Sequence, residues 1–77
     1  MKKIQILGMG CAKCNRLEEN ARTAANALGI TYEIEKVDDI EKIMSFGVMS
    51  TPALAVDGKV VSAGTLLTPD EIKEFLR

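Results

Sequence analysis

The chain has 77 residues, enough for one small domain, 1–77, and too few for separate catalytic and binding domains. Hydrophobic residues make up 47% of the sequence and charged residues 27%, a balance that argues against a disordered chain. The formal net charge of −1 argues against nucleic-acid binding, and the absence of histidine removes the commonest metal ligand and the usual general base near neutral pH.

The first three predicted elements are a strand, a long helix and a second strand. Residues 2–7 form a short apolar run with β-branched side chains that stops at Gly8, which is typical of a central strand. From residue 12 to residue 28, leucine and alanine recur at helical spacing, and Gly29 stands where the helix should end. Residues 31–37 alternate apolar and polar side chains, which predicts a half-buried strand and completes a parallel crossover unit.

The next predicted element is a short helix. Either Asp38 or Asp39 can cap it, and it is expected to run to about Phe46, where Gly47 closes it. Its apolar residues are expected to face inward: Ile40, Ile43 and Met44. The aromatic residues are also expected in the core: Tyr32, Phe46 and Phe75.

A hairpin and a final helix complete the predicted fold. Residues 53–56 and 59–63 are apolar runs joined by Asp57-Gly58, a pair that accepts the positive φ angles of a tight turn. Thr68-Pro69-Asp70-Glu71 supplies a capping hydroxyl, a proline in the first turn and an acidic third position. The order βαβαββα predicts an α/β fold with a four-stranded mixed sheet flanked by helices.

Cys11 and Cys14 stand at the junction of the first strand and the first helix, with only Ala12 and Lys13 between them. A disulfide here would close a loop of about four residues and would stabilise the fold by roughly 2 kcal/mol, because it restricts the unfolded chain. A disulfide that closed a loop spanning most of the chain would contribute roughly 4 kcal/mol. A disulfide that serves to stabilise the fold is therefore a poor explanation for this spacing. The spacing favours a redox or metal site in a reducing compartment.

The amino terminus superficially resembles a signal peptide that ends at a lipidated cysteine. Lys2 and Lys3 precede an apolar run, but Gln5 interrupts that run and its length is at the lower limit for a signal. Nothing in the sequence approaches the roughly 20 apolar residues of a membrane span. We therefore expect a cytoplasmic protein that does not bind membranes.

The position of the two cysteines predicts different roles for them. Unpaired backbone N–H groups and the helix dipole favour the thiolate form of Cys11, and Lys13 and Arg16 add positive charge nearby. Cys14 lies on the same helix edge and can attack a mixed disulfide formed at Cys11. We assign both cysteines as catalytic and Lys13 as a substrate-binding residue.

Pro52 follows Thr51 and leads directly into a strand, where it gives up a backbone donor. A cis Thr51–Pro52 bond explains this placement better than a trans proline at the end of a loop. It would leave the Thr51 backbone able to pair with an extended partner segment. We assign Pro52 to the catalytic site and Thr51 to substrate binding.

Cys11-Ala12-Lys13-Cys14 opening a helix, Ser50-Thr51-Pro52 opening a strand, and Gly64 after the last strand resemble the thioredoxin/glutaredoxin superfamily. The resemblance covers nearly the whole chain and is strongest to the small archaeal and bacterial thioredoxin-like proteins known as redox-active disulfide protein 2. It implies the thioredoxin fold, a nucleophile at Cys11, a resolving thiol at Cys14 and a cis-proline at Pro52. The Gly-Pro that separates the cysteines of thioredoxins is absent here.

The predicted function is that of a monomeric thiol–disulfide oxidoreductase that uses no bound cofactor. Its expected partners are disulfide-containing target proteins and an upstream reductant, either a reductase of the thioredoxin-reductase type or glutathione. Met9 and Met49 flank the predicted site together with Val48, either as an apolar partner groove or as core packing.

Two other functions compete with this prediction. Met9, Cys11 and Cys14 resemble the Met-x-Cys-x-x-Cys loop of heavy-metal-associated domains, which would make the protein a Cu(I) or Zn module. That family has the order βαββαβ and ends in a strand, unlike the order predicted here. A non-catalytic adaptor is the other alternative, and the two intact cysteines argue against it.

Overall fold

The computed structural model describes residues 2–10 and 12–77. Its elements follow the predicted order βαβαββα: β1 (Lys2–Leu7), α1 (Ala12–Leu28), β2 (Tyr32–Val37), α2 (Ile40–Ser45), β3 (Ala53–Val56), β4 (Lys59–Ala63) and α3 (Pro69–Leu76). Among the described helices, none is both long enough and apolar enough to cross a membrane.

The four strands form one mixed sheet in the order β2-β1-β3-β4. β1 and β2 are parallel, whereas β3 is antiparallel to both β1 and β4. Ile6 lies opposite Lys36, and Leu7 lies opposite Val37. The predicted fold class, with β1 as a central strand, is therefore confirmed.

The sheet separates two clusters of buried side chains. Ile4 and Ile6 point toward α1 and α3, where they pack in a core with Leu17 and Ile72. Leu7 points to the opposite face and packs with the residues under α2. This alternation follows from the two-residue repeat of a strand. Burial of each large aliphatic side chain contributes about 1.5–3 kcal/mol, so the larger cluster, between the sheet, α1 and α3, carries most of the stability.

The turn between β3 and β4 adopts the predicted tight conformation. Asp57 has a φ of 53° and Gly58 a φ of 84°, the pair of positive angles required by a two-residue hairpin turn. The Asp57 side chain also accepts a hydrogen bond from the Lys3 backbone at 2.9 Å. The hairpin is thereby tied to the start of β1.

The prediction for α2 was partly wrong. Ile43 is buried, but Ile40 is 59% exposed and Met44 is 67% exposed. α2 has only six residues, and Ile43 is its one buried side chain. Phe75 is also 40% exposed, whereas Tyr32 and Phe46 pack at the margins of the two clusters.

The start of α3 has the predicted capping box. The Glu71 N–H donates to Thr68 Oγ1 at 3.2 Å, and the Thr68 N–H donates to Glu71 Oε1 at 3.0 Å. We expect Thr68→Ala to lower the free energy of unfolding by about 1 kcal/mol, because one cap acceptor is lost. Urea denaturation would measure the change. Thr65→Ala, at an exposed loop position, should leave the stability within about 0.5 kcal/mol of the wild type.

Candidate functional site

Cys14 lies in the first turn of α1 and is only 3% exposed. Its sulfur packs against the end of β1, where the Gly8 N–H donates to the Val37 carbonyl at 3.0 Å. A Cβ atom on Gly8 would overlap Cys14 Sγ and would lie 3.9 Å from Pro52 Cα. Gly8 therefore leaves the space that the sulfur occupies, and three separate segments of the chain meet at Cys14.

Cys11, the predicted nucleophile, lies outside the described residues. Its role stays a prediction from the sequence and from the position of its neighbours. Gly10 and Ala12 bracket it, so it falls between the end of β1 and the first residue of α1.

The Thr51–Pro52 peptide bond is cis, as predicted. Pro52 is buried, and its carbonyl accepts a hydrogen bond from the Gly64 N–H at 2.9 Å. A Cβ atom on Gly64 would lie 2.9 Å from the Ser50 side chain, closer than real Cβ contacts. Gly64 thus packs against the segment 50–52, and Thr51 is left exposed at the surface.

An apolar surface groove with a volume of about 320 Å³ opens beside Thr51. We call it the methionine groove; it is lined by Met9, Ile40, Ile43, Met44, Val48, Met49 and Thr51. Met9 is 63% exposed and Met49 is 99% exposed, whereas Val48 is buried under α2. The two methionines therefore line a surface groove, whereas Val48 packs in the core at its base.

A second groove lies along the first turns of α1, which carry positive charge. Lys13 and Arg16 are exposed and line a groove of about 290 Å³ together with Ala12 and Leu66. Within residues 2–10 and 12–77, neither cation has an acidic partner within 4.0 Å. We call this surface the cationic groove; the predicted substrate-binding residues Lys13 and Thr51 therefore lie in different grooves.

A small cavity of about 60 Å³ lies directly beside Cys14. Its walls are formed by Ile6, Gly8, Gly10, Cys14, Lys36 and Asp38. The sequence prediction missed Lys36 as a site residue and considered Asp38 only as a helix cap, a role that Asp39 fills instead. A signal was available, because the carboxyl ends of parallel strands meet at one sheet edge and Asp38 follows β2 as Gly8 follows β1.

Lys36, one of the residues that line this cavity, forms an ion pair with α1. Lys36 Nζ lies 3.2 Å from Glu18 Oε1, and Arg22 donates to the other oxygen of Glu18 at 2.9 Å. The hydrogen bond from Arg22 and then that from Lys36 hold the pKa of Glu18 below its usual value, against the opposing effect of partial burial. Glu18 is therefore ionised at neutral pH and pairs with the Lys36 ammonium.

Comparison with known proteins identifies the fold that carries this site. Residues 2–77 match the sequence model of the thioredoxin domain. The chain belongs to the thioredoxin domain family. This thioredoxin-domain protein is 46% identical over 76 residues to a thioredoxin of Methanothermobacter thermautotrophicus, with 99% of each chain covered. It is 43% identical over 77 residues to a thioredoxin of Methanocaldococcus jannaschii, covering 100% of this chain and 88% of that relative.

These relatives confirm the superfamily resemblance seen in the sequence. They place this thioredoxin-domain protein in a family of thiol–disulfide oxidoreductases. In the structure the buried Cys14 and the cis-proline Pro52 both approach Gly8.

Proposed function

We propose that this protein is a small protein disulfide reductase that cycles Cys11 and Cys14 between dithiol and disulfide without a bound cofactor. The observation that carries the proposal is the burial of Cys14 in the first turn of α1, against Gly8 and beside the cis-proline Pro52. A buried thiol suits the second, resolving step, because a partner protein cannot reach it first.

The proposed reaction proceeds by two thiol–disulfide exchanges. The Cys11 thiolate attacks a sulfur of the target disulfide, forms a mixed disulfide and releases the other target sulfur as a thiolate, which takes a proton from solvent. Cys14 then loses its proton and attacks Cys11, which forms the Cys11–Cys14 disulfide and releases the second target sulfur. Two electrons have passed to the target, and an upstream reductant must restore the dithiol.

Thr51 and the methionine groove are the proposed docking site for the target. Thr51 is exposed immediately before Pro52, so an extended target segment can pair with its backbone beside the cysteines. The exposed side chains of Met9 and Met49 are flexible and polarizable, which suits a surface that must accept apolar residues of varied shape.

The cationic groove is proposed to favour targets with acidic residues beside their disulfide. We expect Lys13→Glu to lower kcat/KM for such a target by up to about fivefold, since an exposed ion pair contributes about 0.2–1 kcal/mol. The loss should shrink at high salt, because exposed charges are screened. Lys59→Glu makes the same charge change at the hairpin end of the sheet and should have no effect. Equal losses in the two variants would contradict a local role for Lys13.

The experiment that tests the proposed function is reduction of an insulin-type disulfide by the dithiol protein. The oxidised product is then offered to thioredoxin reductase with its nicotinamide cofactor and, in parallel, to glutathione. We expect one of these to regenerate the dithiol, as read by alkylation and mass spectrometry. The proposal would be wrong if the reduced protein were inert toward the disulfide substrate.

The topology weighs against the soft-metal alternative. The chain ends in α3, whereas the heavy-metal-associated domains that share the Met-x-Cys-x-x-Cys spacing end in a strand. Anaerobic titration with Cu(I) against a competing chelator separates the two functions. We expect weak binding, and stoichiometric nanomolar binding would favour a metal module.

A further inference from the structure

Every methionine that the structure describes lies on one surface. Met9, Met44 and Met49 are all exposed, and all three line the methionine groove. The buried hydrophobic side chains of the described residues are instead isoleucine, leucine, valine and alanine, together with Cys14. Methionine is commonly used to fill irregular gaps in a core, so packing does not explain these three positions.

The thioether of methionine has a chemical property that an aliphatic side chain lacks. It can be oxidised to methionine sulfoxide, which converts a flexible apolar side chain into a polar one. Met49 is 99% exposed, and Met9 and Met44 each leave more than half of their surface open to solvent. A peroxide in solution can therefore reach all three side chains.

Oxidation would change the groove from apolar to polar. Apart from the methionines, its lining is aliphatic with one exception, Thr51, whose hydroxyl is the one side-chain donor among the described residues that form it. In the free protein, water satisfies a sulfoxide oxygen. An apolar target residue that covers the groove removes that water, and burial of an unpaired polar group is unfavourable. Oxidation therefore weakens docking more than it affects the free protein.

We propose that Met9, Met44 and Met49 form a peroxide-sensitive modification site, and that their oxidation suppresses the reduction of protein disulfides. The inference rests on the proposed disulfide reductase function and on docking of the target in the methionine groove. At each methionine, the sulfur attacks one oxygen of hydrogen peroxide and the O–O bond breaks. The sulfur gives up two electrons and keeps that oxygen as a sulfoxide, while the other oxygen takes the proton and leaves as water.

The test begins with the disulfide form of the protein, in which Cys11 and Cys14 are already paired when hydrogen peroxide is added. Dithiothreitol then restores the dithiol and leaves the sulfoxides in place. Mass spectrometry of proteolytic peptides counts the oxygen atoms added at each methionine, including Met1. The rate at which insulin oxidises the dithiol protein is measured before and after the treatment.

We expect oxidation of the three groove methionines to slow the reaction with insulin by about tenfold. This factor corresponds to about 1.4 kcal/mol, within the range of the cost of burying an unpaired polar group. The rate with hydroxyethyl disulfide, which is too small to cover the groove, should stay unchanged. The midpoint of urea unfolding should also stay unchanged, because the three side chains are exposed.

The matched control is the triple variant Met9→Leu/Met44→Leu/Met49→Leu, which keeps apolar side chains in the groove and retains Met1. The ratio of its insulin rates after and before peroxide should stay near one, whatever its starting rate. Met49→Gln places a permanent polar group at the most exposed of the three positions. It should slow the reaction with insulin before any peroxide is added.

Four results would overturn the role of these methionines. They are resistance of all three to peroxide, an unchanged insulin rate once they are oxidised, an equal loss of rate in the triple variant, and an equal loss with the small disulfide. A wild-type insulin rate in Met49→Gln would also count against it. An untreated dithiol protein that is inert toward insulin would instead overturn the proposed function, and this inference with it.

Discussion

Cys11→Ser is expected to reduce protein disulfides no faster than the uncatalysed background. A serine hydroxyl does not ionise near neutral pH, so the variant lacks the thiolate that begins the exchange. The buried Cys14 is too shielded to replace it. The rate of insulin precipitation in the presence of dithiothreitol measures this loss.

Cys14→Ser is the matched variant and should behave differently. It keeps the attacking sulfur, so it should react once with a disulfide and then accumulate as a mixed disulfide through Cys11. Intact-mass spectrometry would detect the added partner. If Cys11→Ser turned over at the wild-type rate, or if Cys14→Ser formed no adduct, the assigned order of the two cysteines would be wrong.

Gly8→Ala is expected to damage the site through a single methyl group. Its Cβ atom would overlap Cys14 Sγ, so the cysteine or the end of β1 must move. Overpacking of this kind costs about 1–3 kcal/mol, which urea unfolding of the reduced protein would measure. Turnover should fall as well, because the displaced sulfur meets Cys11 less often.

A double-mutant cycle separates this overlap from other effects of the substitution. In a Cys14→Ala background the nearest side-chain atom to the new methyl group is the Cβ of residue 14, at 3.4 Å, which is an ordinary contact. The cost of Gly8→Ala should then fall below about 1 kcal/mol, since the two residues are directly coupled. An equal cost in both backgrounds would contradict the proposed packing of Gly8 against the sulfur.

The order of the elements was predictable because each has a local signal. α3 begins at the capping box of Thr68 and Glu71, and the hairpin turns at Asp57-Gly58, so neither depends on distant contacts. The cis Thr51–Pro52 bond was expected chiefly from the resemblance to the thioredoxin/glutaredoxin superfamily, since a proline at the first residue of a strand is tolerated in either isomer.

The exposed face of α2 could not be predicted in the same way. Helical spacing places Ile40, Ile43 and Met44 on adjoining positions, but it does not determine how much of that surface another element covers. Within this six-residue helix only Ile43 is buried. The error is informative, because the uncovered residues line the methionine groove beside the site.

The close surroundings of Cys14 were only partly predictable from the sequence. Gly8 meets its sulfur and Asp38 shares its cavity only because parallel pairing of β1 and β2 brings two strand ends to one edge. The ion pair between Lys36 and Glu18 at 3.2 Å was not predicted either, because Glu18 appears in the sequence as an ordinary residue of a solvated helix face. Such contacts depend on strand order and register rather than on local spacing.

The most direct test of the proposed cycle is a redox titration with the wild-type protein. The chain is equilibrated in thiol–disulfide buffers of graded potential, quenched by alkylation and weighed by mass spectrometry. We predict that both cysteines become protected from alkylation together, in a monomer. The transition should be reversible and involve two electrons, so that the ratio of disulfide to dithiol changes tenfold for about every 30 mV. Alkylation of both thiols across the whole range, or oxidation only to a cross-linked dimer, would contradict it.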